Sequence, residues 1–295
     1  MRKRDVEKHA LGFLQVKPLP TLEELSEYYR EVYYQKCPSS TYAPAYSSDE
    51  ARYIDNHAVI AEYCFQQLTA KPTGTLLDVG CGEGFFPAYF ARRGWEVRAC
   101  DFSSHGIETK NPDLLPSFVA GDIFATIQKF IGDKKVFDFI NLANIVEHVL
   151  DPVGLLVSMK RLMHPGSLLR VMVPNDYSEF QGFLRGNGFI DREYWLSPPD
   201  HLSYFGFESL ANLLAESGFK VRDSLTDFPI EMYLANAHSN YCKDNTTGKA
   251  AHQARVLIGN FLVEQGLDKY VAFARAAAGI HFGRSVIMLG SLADE

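Results

Sequence analysis

The stretch Leu76-Leu77-Asp78-Val79-Gly80-Cys81-Gly82-Glu83-Gly84-Phe85-Phe86 runs from a strand through a glycine turn into a helix. Thr75 to Val79 reads as the strand, and Phe85 to Arg93 as a helix that Gly94 stops. Without side chains, Gly80, Gly82 and Gly84 permit a sharp turn and let backbone amides approach a ligand closely. In an open α/β sheet that is where ligands sit, beyond the carboxyl ends of the strands.

Outward from this turn the same pattern repeats. Glu96 to Cys100 is a second strand ending at Asp101, Ser117 to Ala120 a third, and Val136 to Ala143 a fourth. A helix over Phe124 to Ile131 separates the third and fourth. The helix Val153 to Met163, closed by Pro165-Gly166, leads into a fifth strand, Leu168 to Val173, halted at Pro174. A helix over Phe207 to Ser217 precedes a sixth strand, Lys220 to Leu225, and Arg284 to Leu289 makes the last. Alternation of this kind gives right-handed crossovers, and the expected fold is α/β: a seven-stranded, mainly parallel, Rossmann-like sheet with a helical cover.

The remaining segments are expected to supply that cover. Residues 1–70 read as an N-terminal helical segment in which Thr21 and Glu24 form a capping box. The core spans 71–226, a helical insertion 227–281, and the final sheet strand lies in 282–295. Asn175 to Pro199 is a long aromatic connection, of the length typical of functional covers.

Composition bounds the function. The 295 residues are 46% hydrophobic and 22% charged, an ordinary globular balance with enough apolar material for a sizeable core. A net charge of −7 disfavours a broad nucleic-acid footprint, which needs clustered Lys and Arg. Cys37, Cys64, Cys81, Cys100 and Cys242 form no Cys-x-x-Cys pair and read as reduced thiols of a cytoplasmic protein. No run is long enough for a membrane span, and Met1 to Arg4 reads as a solvated basic start rather than a signal peptide.

A nicotinamide dinucleotide site would carry Gly-x-Gly-x-x-Gly, but its third position here is Phe85, whose bulk conflicts with the packing that motif needs. Asp101 suits ribose hydroxyls under either cofactor. The whole run resembles motif I of the class I S-adenosyl-L-methionine-dependent methyltransferases, and later pieces fall where that family places them. Gly121-Asp122-Ile123 follows the third strand, where the resemblance implies an acid on the adenine amino group and an apolar neighbour under the ring. Asn141-Leu142-Ala143-Asn144 ends the fourth, where backbone groups flank the methionine part; Val173-Pro174-Asn175 closes the fifth. The likeness covers about residues 75 to 225. It implies S-adenosyl-L-methionine as cofactor, held by Asp78, Gly80, Cys81, Gly82, Gly84, Asp101, Phe102, Asp122, Ile123, Leu142 and Ala143. The helix N-terminus after the turn favours the methionine carboxylate.

Methyl transfer from a sulfonium is an in-line displacement, so the protein aligns the acceptor and supplies a base where a proton must leave. His148, with Glu147 beside it just beyond the fourth strand, is one candidate, and His201 in Pro198-Pro199-Asp200-His201 is the other, with Asp200 expected to pair with His201. The run Asn144-Ile145-Val146-Glu147-His148 resembles the Glu-x-x-Glu-His of ubiquinone-type and small-RNA methyltransferases, whose side chains bind a divalent cation. Asn144 replaces the first carboxylate, so no required metal is expected. Tyr28, Tyr29, Tyr33, Tyr34, Tyr42 and Tyr46 are read first as packing residues. A weaker likeness of the N-terminal part to bacterial sugar and surface-glycan methyltransferases makes a small-molecule sugar hydroxyl the first acceptor expected, with a quinone or polyketide as the alternative. A homodimer is a partner state to test. From other classes, a nicotinamide-dependent oxidoreductase and a non-catalytic nucleoside-binding module are the competing readings.

Overall fold

The computed structural model describes residues 5–28 and 45–293. Met1 to Arg4, Tyr29, Tyr33, Tyr34, Tyr42 and Cys37, read above as a basic start, packing tyrosines and a thiol, lie outside the described residues.

The chain opens with strands β1 (Asp5–Lys8) and β2 (Leu14–Lys17), then α1 (Leu22–Tyr28) and α2 (Ser48–Thr69). The core follows as β3 (Thr75–Val79), α3 (Phe85–Arg92), β4 (Glu96–Asp101), α4 (His105–Lys110), β5 (Phe118–Ala120), α5 (Ile123–Gly132), β6 (Phe137–Ala143), α6 (Pro152–Lys160) and β7 (Met163–Pro174). After it come α7 (Glu179–Gly186), β8 (Ser203–Tyr204), α8 (Phe207–Glu216), β9 (Phe219–Thr226), α9 (Gly248–Glu264), α10 (Leu267–Gly279) and β10 (Ser285–Leu292).

Seven strands form one sheet in the order β5-β4-β3-β6-β7-β10-β9. All pairings up to β7 are parallel, and β10 runs antiparallel between β7 and β9. The order reverses between β3 and β6, which makes the ends of those two strands the switch point. This is the seven-stranded α/β sheet expected from the sequence.

Period-2 alternation divides the apolar residues between two faces. Leu77, Ile140 and Leu169 pack with α5, α6 and α8 through Ile127, Leu155, Met159 and Leu213. Their neighbours Leu76, Phe139 and Leu168 pack on the other face with α2, α3 and α10 through Ala61, Phe65, Phe90, Val271 and Ala274. Helix α10, at the end of the expected insertion, therefore lies on a sheet face rather than over the strand ends.

The segment read as N-terminal and helical starts instead as a β-hairpin turned by Gly12 at φ +93. Strand β2 adds β8 to make a second, three-stranded sheet. Helix α1 has the capping box expected: the Thr21 amide donates to Glu24 and the Glu24 amide to Thr21. Helix α2 falls within the stretch expected to be helical, whereas α4 and α7 have no counterpart among the elements expected from the sequence. The 175–199 connection holds α7 and packs Leu184, Ile190 and Trp195 against Val16, Tyr204 and Leu234. Arg284 anchors this cover, its guanidinium 2.6 Å from Asp176 and 3.2 Å from Glu231. Among the described residues no helix is long and apolar enough to cross a membrane.

Candidate functional site

The turn after β3 is built on three left-handed glycines, with φ of +73 at Gly80, +55 at Gly82 and +78 at Gly84. A Cβ at Gly80 would meet Ile145 Cδ1 at 1.9 Å, so both conformation and space demand glycine there. Asp101 at the end of β4 braces the turn, accepting from the amides of Gly82 at 2.9 Å and Ser103 at 3.1 Å. With about four acceptor sites, the carboxylate keeps capacity for a ligand.

Below the turn, one face of the sheet carries a polar row. Asp78 is in register with Asn141, and Asn141 with Arg170. Asn141 donates to Asp78 at 2.6 Å and accepts from Arg170 at 2.6 Å, all three being buried. Burial raises the Asp78 carboxyl to about 7, against the hydrogen bond from Asn141 and the charge of Arg170. Asp78, Asn141 and Arg170 floor a cleft of about 550 Å³ that Gly80, Cys81, Ala143 and Asn144 edge. Its walls come from α2 (Glu50, Tyr53, His57), α3 (Phe85, Phe86) and α9 (His252, Arg255, Val256). Tyr46 closes it across the turn: its hydroxyl donates to Glu83 at 2.5 Å and its ring meets Phe85 edge-on.

Beyond β6 a short 3-10 turn, Val146–His148, meets the Asp200–His201 loop because the Leu202 amide donates to the Glu147 carbonyl at 2.8 Å. The imidazoles of His148 and His201 stand edge to face, 4.8 Å between centroids. His148 Nδ1 lies 2.7 Å from the Asp200 carbonyl and 3.4 Å from its carboxylate. So Asp200, expected to pair with its neighbour His201, orients His148 instead. Burial opposes the His148 cation, but Asp200 and Glu147 outweigh it and raise the ring to about 9. Burial, then the charge of His148, lowers His201 to about 4. Burial pushes Glu147 up to about 7 against the pull of His148.

Ligand atoms of Glu147, His148 and His201 all lie within 4.8 Å of one another. Both Glu147 carboxylate oxygens and His201 Nδ1 are buried without a hydrogen-bond partner. Orphaned oxygen and nitrogen donors of this kind fit a divalent cation, although the sequence led us to expect none.

The methyltransferase-domain family matches residues 49–224, three fifths of the chain. The chain belongs to that family. Among curated relatives, a ubiquinone biosynthesis O-methyltransferase of Chelativorans sp. (strain BNC1) is 31% identical over 198 residues, 63% of this chain and 76% of the relative. One of the same name from Pasteurella multocida (strain Pm70) is 29% identical over 118 residues, 36% of this chain and 49% of the relative. The chain thus spans about half the length of several curated relatives it matches. Of solved structures, a SAM-dependent methyltransferase from Archaeoglobus fulgidus aligns at TM-score 0.49 and 19% identity, covering 79% of this chain and 93% of that one. The family's cofactor is S-adenosyl-L-methionine.

Within this methyltransferase domain the expected residues fall in three places. Asp78, Gly80, Cys81 and Ala143 line the cleft. The Leu142 side chain is wholly buried in the core, which leaves only its backbone for a ligand. Asp101, Phe102, Asp122 and Ile123 form a shelf at the ends of β4 and β5, with Phe102 52% exposed. Asp122 also caps α5, accepting from the Phe124 amide at 2.8 Å. Arg170, Tyr53, His252 and Arg255 were missed as cleft residues, and Asn141 was expected to contribute only its backbone. A lone Arg in Leu168-Leu169-Arg170-Val171-Met172-Val173 was a signal, since an unpaired charge does not belong in a buried strand.

Proposed function

We propose that the protein transfers the methyl group of S-adenosyl-L-methionine to a hydroxyl of a small aromatic acceptor of quinone type, with His201 as the base. The turn and cleft would hold the cofactor so that its methyl faces the end of β6, where the histidine cluster stands. The ubiquinone-type relatives favour the quinone-type alternative over the sugar expected first, and the aromatic cleft walls suit a flat ring.

The observation that carries the choice of base is geometric: His148 Nδ1 is engaged by Asp200, 2.7 Å from its carbonyl and 3.4 Å from its carboxylate, whereas His201 Nδ1 has no hydrogen-bond partner. His148, pinned between Glu147 and Asp200, keeps its proton at neutral pH, whereas His201 keeps a free lone pair. In the displacement, the acceptor oxygen attacks the methyl carbon as the carbon–sulfur bond breaks, and the hydroxyl proton passes to His201. Protonated His148 favours the oxyanion as that proton leaves.

The orphaned Glu147 oxygens support a second reading, in which Glu147, His148 and His201 hold a divalent cation. When bound, such an ion would lower the pKa of an acceptor hydroxyl, and binding would have to displace the His148 proton.

Radiolabelled methyl transfer to a panel of hydroxylated benzenes and free sugars tests both. His201→Ala is expected to lower turnover by roughly a hundredfold or more while S-adenosylhomocysteine affinity holds. Full turnover in that variant removes the base. Loss of activity on EDTA treatment, restored by Mg²⁺ or Zn²⁺, selects the second reading.

A further inference from the structure

The cleft holds two guanidinium groups with no carboxylate in contact among the described residues. Arg170, 3% exposed, reaches only Asn141, Met172 Sδ at 3.4 Å and the face of Phe86; Asp78 and Asp227 act on it at longer range. Arg255, from α9 on the opposite wall, stacks over Tyr53 at 5.5 Å and lies 3.0 Å from His252 Nδ1. Its Nε is buried with no hydrogen-bond partner.

None of the carboxylates that share the lining bonds to either arginine. One Glu50 oxygen takes the Ser47 amide and hydroxyl while the other lies 3.8 Å from His252 Nε2, one Glu83 oxygen takes the Tyr46 hydroxyl while the other is buried with no hydrogen-bond partner, and Asp78 takes Asn141. His57, half-buried in the same lining, is lowered to about 4 by burial and, against the pull of Asp227, by the charges of Arg170 and Arg255, so it adds a neutral donor rather than a third cation. A buried cation needs a counter-charge or hydrogen-bond acceptors. A planar guanidinium with an unused N–H edge, held in place by an aromatic ring, is shaped to take two oxygens of a carboxylate side by side.

We propose that the Arg255 end of this cleft is a carboxylate subsite, built by the late helix α9 onto the cofactor pocket, with Arg170 as its distant second charge. The inference rests on the cleft being the cofactor and acceptor pocket proposed above. Two ligands carry that chemistry there: the methionine tail of the cofactor, or an acceptor bearing an acid group.

Arg255→Met keeps the apolar stem, and Arg255→Lys keeps the charge without the fork. Both are compared with the wild-type chain by titration with S-adenosylhomocysteine, with 5′-methylthioadenosine, which lacks the amino-acid tail, and with benzoate added to S-adenosylhomocysteine-loaded protein. If the subsite takes the cofactor tail, Arg255→Met weakens S-adenosylhomocysteine roughly tenfold or more, leaves 5′-methylthioadenosine unchanged, and Arg255→Lys recovers part of the loss. If it takes an acidic acceptor, S-adenosylhomocysteine is unaffected and benzoate binding to the loaded protein is lost. Unchanged affinity for both carboxylates overturns the subsite, as does equal weakening of S-adenosylhomocysteine and 5′-methylthioadenosine, which marks a structural effect. A wild-type protein that binds no S-adenosylhomocysteine would instead remove the methyltransferase reading beneath it.

Discussion

The glycine turn after β3 and the histidine cluster after β6 end neighbouring strands, yet they are held by opposite means. The turn is a backbone object: left-handed glycines and amides gathered by Asp101, with no room for a Cβ at Gly80. The cluster is a side-chain object: buried Glu147 with half-buried His148, His201 and Asp200, in which the cation on His148 disfavours a second on His201. The first should therefore respond most to added atoms, and the second to pH. One region binds by shape, and the other reacts by charge.

The largest expected effect breaks the first half of the comparison. Gly80→Ala adds a Cβ against Ile145 and asks alanine to hold a φ of +73, so it should cost roughly 2–5 kcal/mol in stability or cofactor binding. Denaturant melts with and without S-adenosylhomocysteine measure both. A variant that melts and binds like the wild type would mean that the turn can shift, and that the Ile145 contact does not fix it.

A smaller effect sharpens the second half. The His148 ring is raised to about 9, so its contribution to folding is complete below the ordinary value of 6.5 and is lost as pH rises through about 9. Glu147, raised to about 7, adds to that loss as it ionises in the buried cluster. His201 has the opposite sign: its contribution holds above 6.5 and is lost as pH falls through about 4. Asp200→Asn removes the carboxylate but keeps the carbonyl that His148 Nδ1 faces, so orientation survives and only charge is lost. The fall in stability from pH 6.5 to 9 should shrink by on the order of 2 kcal/mol relative to wild type. An unchanged slope in urea melts across that window would show that Asp200 does not hold the proton on His148.

The same contrast explains what could be read from the chain. Glycine spacing and the succession of strand and helix act over a few residues, so the turn and the mainly parallel seven-stranded sheet were legible, whereas the strand order was not. The histidine cluster was legible only as parts. His148 and His201 were each visible, but the hydrogen bond from Leu202 to Glu147 that joins their loops spans 55 positions, and it hands Asp200 to the wrong neighbour by sequence logic. The polar row failed in the same way, because Asp78, Asn141 and Arg170 become adjacent only through strand register. Other misses, the start of α2 and the whole of α7, were avoidable. Ser47 with Glu50 and Ser178 with Gln181 are the same capping signature that identified α1, and they open α2 and α7. The N-terminal hairpin had weaker cues, since its four-residue strands are stabilised mainly by the cover they pack against.

The smallest expected effect falls where the two modes overlap. Asp122 is exposed at the end of β5 and uses one oxygen to cap α5, through the amides of Phe124 at 2.8 Å and Ala125 at 3.5 Å. As a cap it is a backbone-holding residue like Asp101; as the partner of the adenine amino group it would be a ligand. Two substitutions separate the roles. Asparagine caps about as well as aspartate, whereas alanine does not, so Asp122→Ala should cost about 1 kcal/mol of stability and Asp122→Asn only a few tenths. An amino group donates more strongly to a carboxylate than to an amide, so a ligand role predicts that Asp122→Asn weakens S-adenosylhomocysteine by roughly threefold to tenfold with its melt preserved. If affinity in the asparagine variant matches the wild type, Asp122 belongs wholly to the scaffold. The adenine shelf is then built from Phe102, Ile123 and backbone alone, and the rule of backbone at the turn and charge at the cluster holds across the whole cofactor side.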